Sequence, residues 1–346
     1  MDILAQLSAF YSCALWEDLY SQFANIAVNC KMAKRYNIKL KNGERTFSAL
    51  SNYDSSDIFQ KSKKWTRVVF LLHGFPDTKR SYDEIWSYLE RDLSGKKDSL
   101  FICPSLRGYE PSSQGEESQY KVKDIAEDVR IWIKEIVPEE VPVDLLGHDW
   151  GAIASFKVAS LWPDLVNSMV CLSIPYLTNI KPWELLWYCP WQLYYSSYML
   201  TMQFAFLYRP RLSDNNLSYL RKIWNSWSPN WNFENQIDEL KDLFSKPGVI
   251  DATTAYYRCM FNIWNYKENK WFVDFSKVPT LLLGGQEDGC MNYRLYDLER
   301  EKLKNTPNVQ VKLLPKIGHF LHREDPKLVS SLVSEWFLHN SGTKTV

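Results

Sequence analysis

The residues that most invite a chemical reading are Gly147-His148-Asp149-Trp150-Gly151. They follow the apolar run Val-Asp-Leu-Leu at 143–146 and open a helical pattern. Small residues at both outer positions permit a sharp strand-to-helix turn that lifts the central side chain clear of the backbone. A carboxylate in that place needs no base to deprotonate it at neutral pH. It can displace a leaving group from an sp³ carbon and form an alkyl ester, and a helix N-terminus favours its charge. The bland alternative is that Asp149 merely caps the helix beginning at Gly151. Three further segments weigh against a cap alone. His73-Gly74-Phe75-Pro76 follows TRVVFLL, Gly285-Gln286-Glu287-Asp288-Gly289 follows PTLLL, and Gly318-His319-Phe320 follows VQVKLL. Each comes after an expected strand, where open parallel sheets build their sites. Any one could be a turn. All four, in the chain order nucleophile, acid, histidine, form a constellation for covalent attack and base-assisted hydrolysis.

Those turns need strands and helices to hold them. RYNIKLK alternates Tyr36, Ile38 and Leu40 on one face, Asn42-Gly43 marks a turn, and a second strand passes through Phe47 and Ala49. The runs 66–72, 99–103, 143–147, 166–174, 279–285 and 309–314 are short, apolar and rich in β-branched residues, as strands buried on both faces are. Helical patterns fall at 81–92, 122–136, 151–162, 291–304 and 326–338. Strand alternating with helix predicts a mostly parallel sheet covered on both faces. The rhythm stops between 176 and 277, where 25 of the chain's 52 aromatic residues gather. An α/β core made of 35–175 and 278–346, interrupted by an aromatic-rich helical cap at 176–277, accounts for that shift. Residues 1–34 read as a helical extension. An amphipathic helix laid on the core is the first reading of it, and a peripheral membrane contact by the N-terminus is the other.

Composition sets the outer limits. Lys+Arg and Asp+Glu both number 41 in 346 residues, so no global charge draws the chain to nucleic acid. No run is long and apolar enough to span a bilayer. The seven cysteines are scattered, odd in number and without a CxxC pair. That argues against a disulfide framework or zinc site and predicts a reducing, cytoplasmic setting.

The set HGFP, GHDWG, the Asp288 loop and GHF resembles the epoxide hydrolase branch of the α/β-hydrolase superfamily, and the soluble epoxide hydrolases in particular. The resemblance covers about residues 35–340. It implies an α/β-hydrolase fold with an inserted helical cap. It implies Asp149 as nucleophile, His319 as general base, Asp288 orienting His319, and the backbone N–H groups of Phe75 and Trp150 as an oxyanion hole. It also implies two cap tyrosines that protonate the epoxide oxygen. Ala255-Tyr256-Tyr257-Arg258 matches the second, giving Tyr257. Tyr198, five residues before Gln203, fits the first best, with Tyr194 and Tyr195 competing. The substrate would be a small lipophilic epoxide, and no cofactor or metal would be needed. Relatives usually show Asp at the position of Ser105 and Gly at that of Glu110, in a loop expected near the site entrance.

A dehalogenase uses the same Asp, His and acid, but it stabilises a departing halide. Such relatives usually carry Asn or a second Trp facing the halide, and here the oxyanion-loop residue is Phe75. A non-catalytic binding protein on the same fold is the alternative from a different class. His73 and His148 are expected to hold loops, His322 to be a surface or capping residue, and His339 to lie in the tail. Trp183, Trp187 and Trp191 recur every fourth residue and are expected to form a stripe in the cap core. The oligomeric state is not readable from these residues.

Overall fold

A computed structural model describes residues 34–341, except 61–64, 95–97, 138–140, 142 and 179. The expected N-terminal extension thus lies outside the described residues, Lys34 apart. Eight strands form one sheet: β1 (Tyr36–Asn42), β2 (Arg45–Ser51), β3 (Arg67–Leu72), β4 (Ser99–Pro104), β5 (Val143–His148), β6 (Val166–Leu172), β7 (Thr280–Gly285) and β8 (Val309–Leu314). Their order across the sheet is β1-β2-β4-β3-β5-β6-β7-β8. The β1–β2 hairpin is antiparallel, and β2 runs antiparallel to β4; every other pairing is parallel. In the hairpin Asn42 pairs with Arg45, so the two loop residues are Gly43 and Glu44, one position later than the dipeptide suggests. Gly43 takes φ +59, as the first position of a two-residue hairpin loop requires.

Every residue of β4, β5, β6 and β7 is buried. Side chains alternate between the faces of a strand, so full burial means cover on both faces. The cover comes from α2 (Asp83–Ser94), α3 (Val122–Ile136), α4 (Trp150–Leu161), α13 (Tyr293–Leu303) and α15 (Pro326–His339). α2 packs on α15, and α3 on α4. α3 shows the expected stripe, burying Val122, Ile125, Ala126, Val129, Ile133 and Ile136. It also buries Asp128 and Trp132, which the hydrophobic pattern does not include. Asp128 meets Arg107 of the β4–α3 loop through two hydrogen bonds of 2.6 and 2.7 Å. α1 (Ser55–Ile58) and α14 (Leu321–Glu324) are single turns.

Between β6 and β7 the described residues contain helices and no strand. They are α5 (Pro182–Tyr188), α6 (Trp191–Tyr195), α7 (Tyr198–Thr201), α8 (Ala205–Leu212), α9 (Ser218–Trp227), α10 (Asp238–Phe244), α11 (Val249–Phe261) and α12 (Tyr266–Asn269). The tryptophan stripe is not core. Trp183, Trp187 and Trp191 are all exposed: the first two share the outward face of α5, and the third opens α6 beyond the break at Cys189-Pro190. Among the described residues no helix is long and apolar enough to cross a membrane.

Breaking a buried ion pair from one side leaves the other charge desolvated and unpaired, at a cost of about 3–5 kcal/mol. Asp128→Ala is therefore expected to lower stability by about that amount. Urea unfolding tests this, and a loss below about 1 kcal/mol would show that Arg107 finds another partner.

Candidate active site

Four loops at the carboxyl ends of β3, β5, β7 and β8 converge. Asp149 lies between β5 and α4 with φ +51 and ψ −118, a left-handed backbone that a β-carbon disfavours. The turn is tight enough to exclude side chains around it. A β-carbon on Gly151 would stand 1.9 Å from the Leu72 carbonyl oxygen, and one on Gly74 would stand 2.3 Å from the Asp149 β-carbon. Asp149 stands at the N-cap position of α4, yet its side chain makes no capping bond to the first turn. Its Oδ1 instead accepts the Phe75 N–H at 2.7 Å, and the Trp150 N–H also bonds the carboxylate.

His319 follows β8. Its Nδ1 lies 2.9 Å from Asp288 Oδ2, and its Nε2 lies 3.9 Å from Asp149 Oδ2 with no hydrogen-bond partner among the described residues. Asp288 is held by its own loop: its Oδ1 accepts the Cys290 and Met291 N–H groups at 2.6 and 2.9 Å. Burial pushes the Asp149 carboxyl up to about 6, against the opposing pull of His319 and the two backbone N–H groups. Burial alone would pull His319 down, but the Asp288 and Asp149 carboxylates outweigh it and raise the imidazole above its ordinary value.

The helices between β6 and β7 place two phenols beside this group. Tyr257, on α11, is buried, and its ring stands edge-on to Trp150 at 5.2 Å and to Phe75 at 5.4 Å. Its hydroxyl is buried and meets no hydrogen-bond partner among the described residues. Tyr198, on α7, packs edge-on to Tyr257 at 5.7 Å, and its hydroxyl lies 3.7 Å from Cys290 Sγ. Burial raises both phenols well above their ordinary range, and the Asp149 charge adds to it. Tyr194, by contrast, is exposed, and Tyr195 meets only Tyr194 among the described ring contacts. A surface cleft of about 690 Å³ lies beside the site, lined by Tyr194, Tyr195, Tyr198, Trp227 and Asp288 among others.

Supporting residues complete the picture. His73 accepts the Leu106 N–H at Nε2 and faces the Gly74 carbonyl through Nδ1. His148 Nε2 meets the His319 carbonyl at 3.0 Å. Both hold loops. His322 is neither a surface nor a capping residue. It is buried one turn beyond His319, with Nε2 2.7 Å from Ser81 Oγ and its ring against those of Tyr82 and His148. The loop 105–110 is mostly buried and acts as a brace: Tyr109 donates to the Gly74 carbonyl at 3.0 Å, and Tyr256 donates to the Arg107 carbonyl at 2.6 Å.

Two features carried no sequence signal. The Trp227 carbonyl, at the end of α9, accepts both the His319 N–H (2.9 Å) and the Gly289 N–H (3.2 Å). It therefore ties the histidine and acid loops together through the backbone. Arg323 is buried among Asp77, Glu239 and Glu84, joining the β3 loop, α10, α2 and the segment after His319. Two buried clusters bring metal-type donor atoms within 4.8 Å of one another, Asp77–His148–His322 and Asp288–Cys290–His319. In each the carboxylate is already engaged, by Ser81 and Arg323 or by His319.

Comparison with known proteins agrees with this arrangement of strands and loops. The sequence profile of the alpha/beta hydrolase fold family matches residues 67–326. Mouse epoxide hydrolase 4 is 24% identical over 273 residues, covering 77% of this chain and 71% of that one. The AB hydrolase superfamily protein YfhM of Bacillus subtilis is 25% identical over 273 residues, covering 78% and 89%. Among solved structures, epoxide hydrolase VrEH1 of Vigna radiata superposes with a TM-score of 0.68 at 20% identity, covering 89% and 99%. The chain belongs to the α/β-hydrolase fold family, and its resemblance within that family extends to proteins named epoxide hydrolases.

Proposed function

We propose that this α/β hydrolase is an epoxide hydrolase that converts a small lipophilic epoxide to a vicinal diol. The observation that carries the reading is the pair of phenols, buried Tyr257 and half-buried Tyr198, packed against each other beside the Asp149 carboxylate. A halide leaving group needs no proton, whereas an alkoxide does. On this reading residues 176–277 act as a cap that closes an apolar site over Asp149.

The carboxylate of Asp149 attacks one ring carbon, the carbon–oxygen bond breaks, and a tyrosine hydroxyl gives its proton to the departing oxygen. The result is a hydroxyalkyl ester on Asp149. His319 Nε2 then takes a proton from water as the water's oxygen adds to the ester carbonyl. Negative charge gathers on the former carboxylate oxygen, where the Phe75 and Trp150 N–H groups already point. Losing one such donor typically costs on the order of 3 kcal/mol. Collapse breaks the bond from the carbonyl carbon to the alkyl oxygen, that oxygen takes the proton of the added hydroxyl to release the diol, the carboxylate is restored, and the proton held by His319 returns through solvent to the tyrosine. Asp288 keeps His319 in the tautomer that leaves Nε2 free to accept.

His319→Gln should allow attack and block water activation, so a covalent adduct on Asp149 should accumulate and be seen by intact-protein mass spectrometry with styrene oxide. No adduct, with the fold preserved, contradicts the two-step scheme. Halide release from a bromoalkane without diol formation would favour the dehalogenase instead.

Tyr257→Phe should lower kcat/KM for the epoxide by about 10²-fold, and adding Tyr198→Phe should remove most of the remainder. Unchanged turnover in the double variant would remove the phenols from the mechanism.

The pH profile follows from the same groups. Attack needs Asp149 ionised, so kcat/KM should fall as pH drops through about 6. A raised His319 pKa places loss of the base on the same acidic side. The phenols stay protonated beyond their ordinary range, so no alkaline loss is expected up to about pH 9. A profile flat down to about pH 4 would show that the carboxylate is not held as described.

A further inference from the structure

The outer surface of the helices between β6 and β7 is apolar in a way the rest of the described residues is not. Of 19 large hydrophobic side chains exposed among the described residues, 15 lie between β6 and β7, ten of them within residues 183–206. Trp187 is 83% exposed, Phe206 76% and Tyr194 70%. Residues 185–208 contain no Asp, Glu, Lys, Arg or His. Apolar exposure on this scale marks an interaction surface.

These side chains are not loose core. The same short helices are held from inside: Gln192 of α6 donates to the Cys290 carbonyl at 2.8 Å and accepts the Asn292 N–H at 2.9 Å, and Tyr198 of α7 packs on Tyr257. A fixed inner face leaves the outward aromatics presented on rigid support.

Charge indicates what they meet. Lys181 stands 5.1 Å from the Trp183 ring. Arg211 and Lys222 line one cleft with Tyr194, and neither forms an ion pair among the described residues; of the two acids in that cleft, Asp288 is buried against His319 and Glu287 accepts a bond from Asn230. The nearest acid in sequence, Glu184, is neutralised by Lys302 at 2.8 Å. Indole and phenol rings settle at the headgroup level of a bilayer, and unpaired basic side chains beside them attract anionic phospholipid. None of these helices is long enough to insert, so contact would be in the plane of the interface. We propose that the outer face of residues 183–206 docks on the surface of an anionic phospholipid bilayer. The proposal is independent of the reaction assigned to the site.

Co-sedimentation of the full chain with vesicles tests it, using equal parts phosphatidylcholine and phosphatidylglycerol against phosphatidylcholine alone. The parent protein should pellet with the anionic vesicles and be released by salt. The triple variant Trp183→Ser, Trp187→Ser, Trp191→Ser changes only exposed side chains, so its thermal unfolding should match the parent's while its vesicle affinity falls about tenfold or more. Lys181→Glu with Lys222→Glu should weaken binding to anionic vesicles alone. The proposal fails if the parent binds neither vesicle. It also fails if the triple variant binds as the parent does, which would place the contact elsewhere in the chain. A third failing outcome is that the parent binds no vesicle and self-associates in a way the triple variant abolishes, which would make this face an interface between copies.

Discussion

A carboxylate is kept almost wholly out of water with no lysine or arginine against it among the described residues. Asp149 answers its desolvation with two backbone N–H groups and an imidazole 3.9 Å away. Backbone donors cannot move off, and they do not neutralise the charge as a guanidinium would. The charge is thus left without a neutralising partner, and loops from four strands keep those donors and that imidazole in place.

The supports are mostly indirect. The left-handed backbone at Asp149 is tolerated because Gly74 and Gly151 leave the space a β-carbon would fill. The Phe75 loop is held by Tyr109 and by Trp224, whose indole N–H reaches the Pro76 carbonyl. One main-chain oxygen, that of Trp227, binds the loops carrying Asp288 and His319 to α9, and its ring covers both His319 and Tyr198 at 4.9 Å. The helical insertion is thus part of the site's framework as well as its cover.

Local patterns in the chain reveal whatever depends on short-range periodicity. The buried strands show as apolar runs because both faces of a parallel sheet are covered, and α3 shows as a stripe at 3.6-residue spacing. Asp149, His319, Asp288 and Phe75 could be picked out because each follows a strand end, where the sheet's geometry sends loops to one edge. The tryptophan stripe misled for a related reason. Equal spacing on a helix implies a shared face and not that the face is buried, and the face that Trp183 and Trp187 share on α5 points outward. His322 misled because a histidine near a helix start looks like a cap, and its burial comes from Ser81, Tyr82 and His148, all distant in sequence.

From residue types and spacing alone came the alternation of strands and helices, the sharp turn at Asp149 and the order of the side chains that gather at the site. These properties depend on neighbours a few residues apart. Tertiary structure alone decided which tyrosines stand beside the carboxylate, that a peptide carbonyl at residue 227 clasps two loops, and that Arg107 and Arg323 are buried among carboxylates. Those outcomes depend on backbone atoms and on contacts between segments up to 246 residues apart, such as Asp77 with Arg323, and neither leaves a periodic trace in the chain.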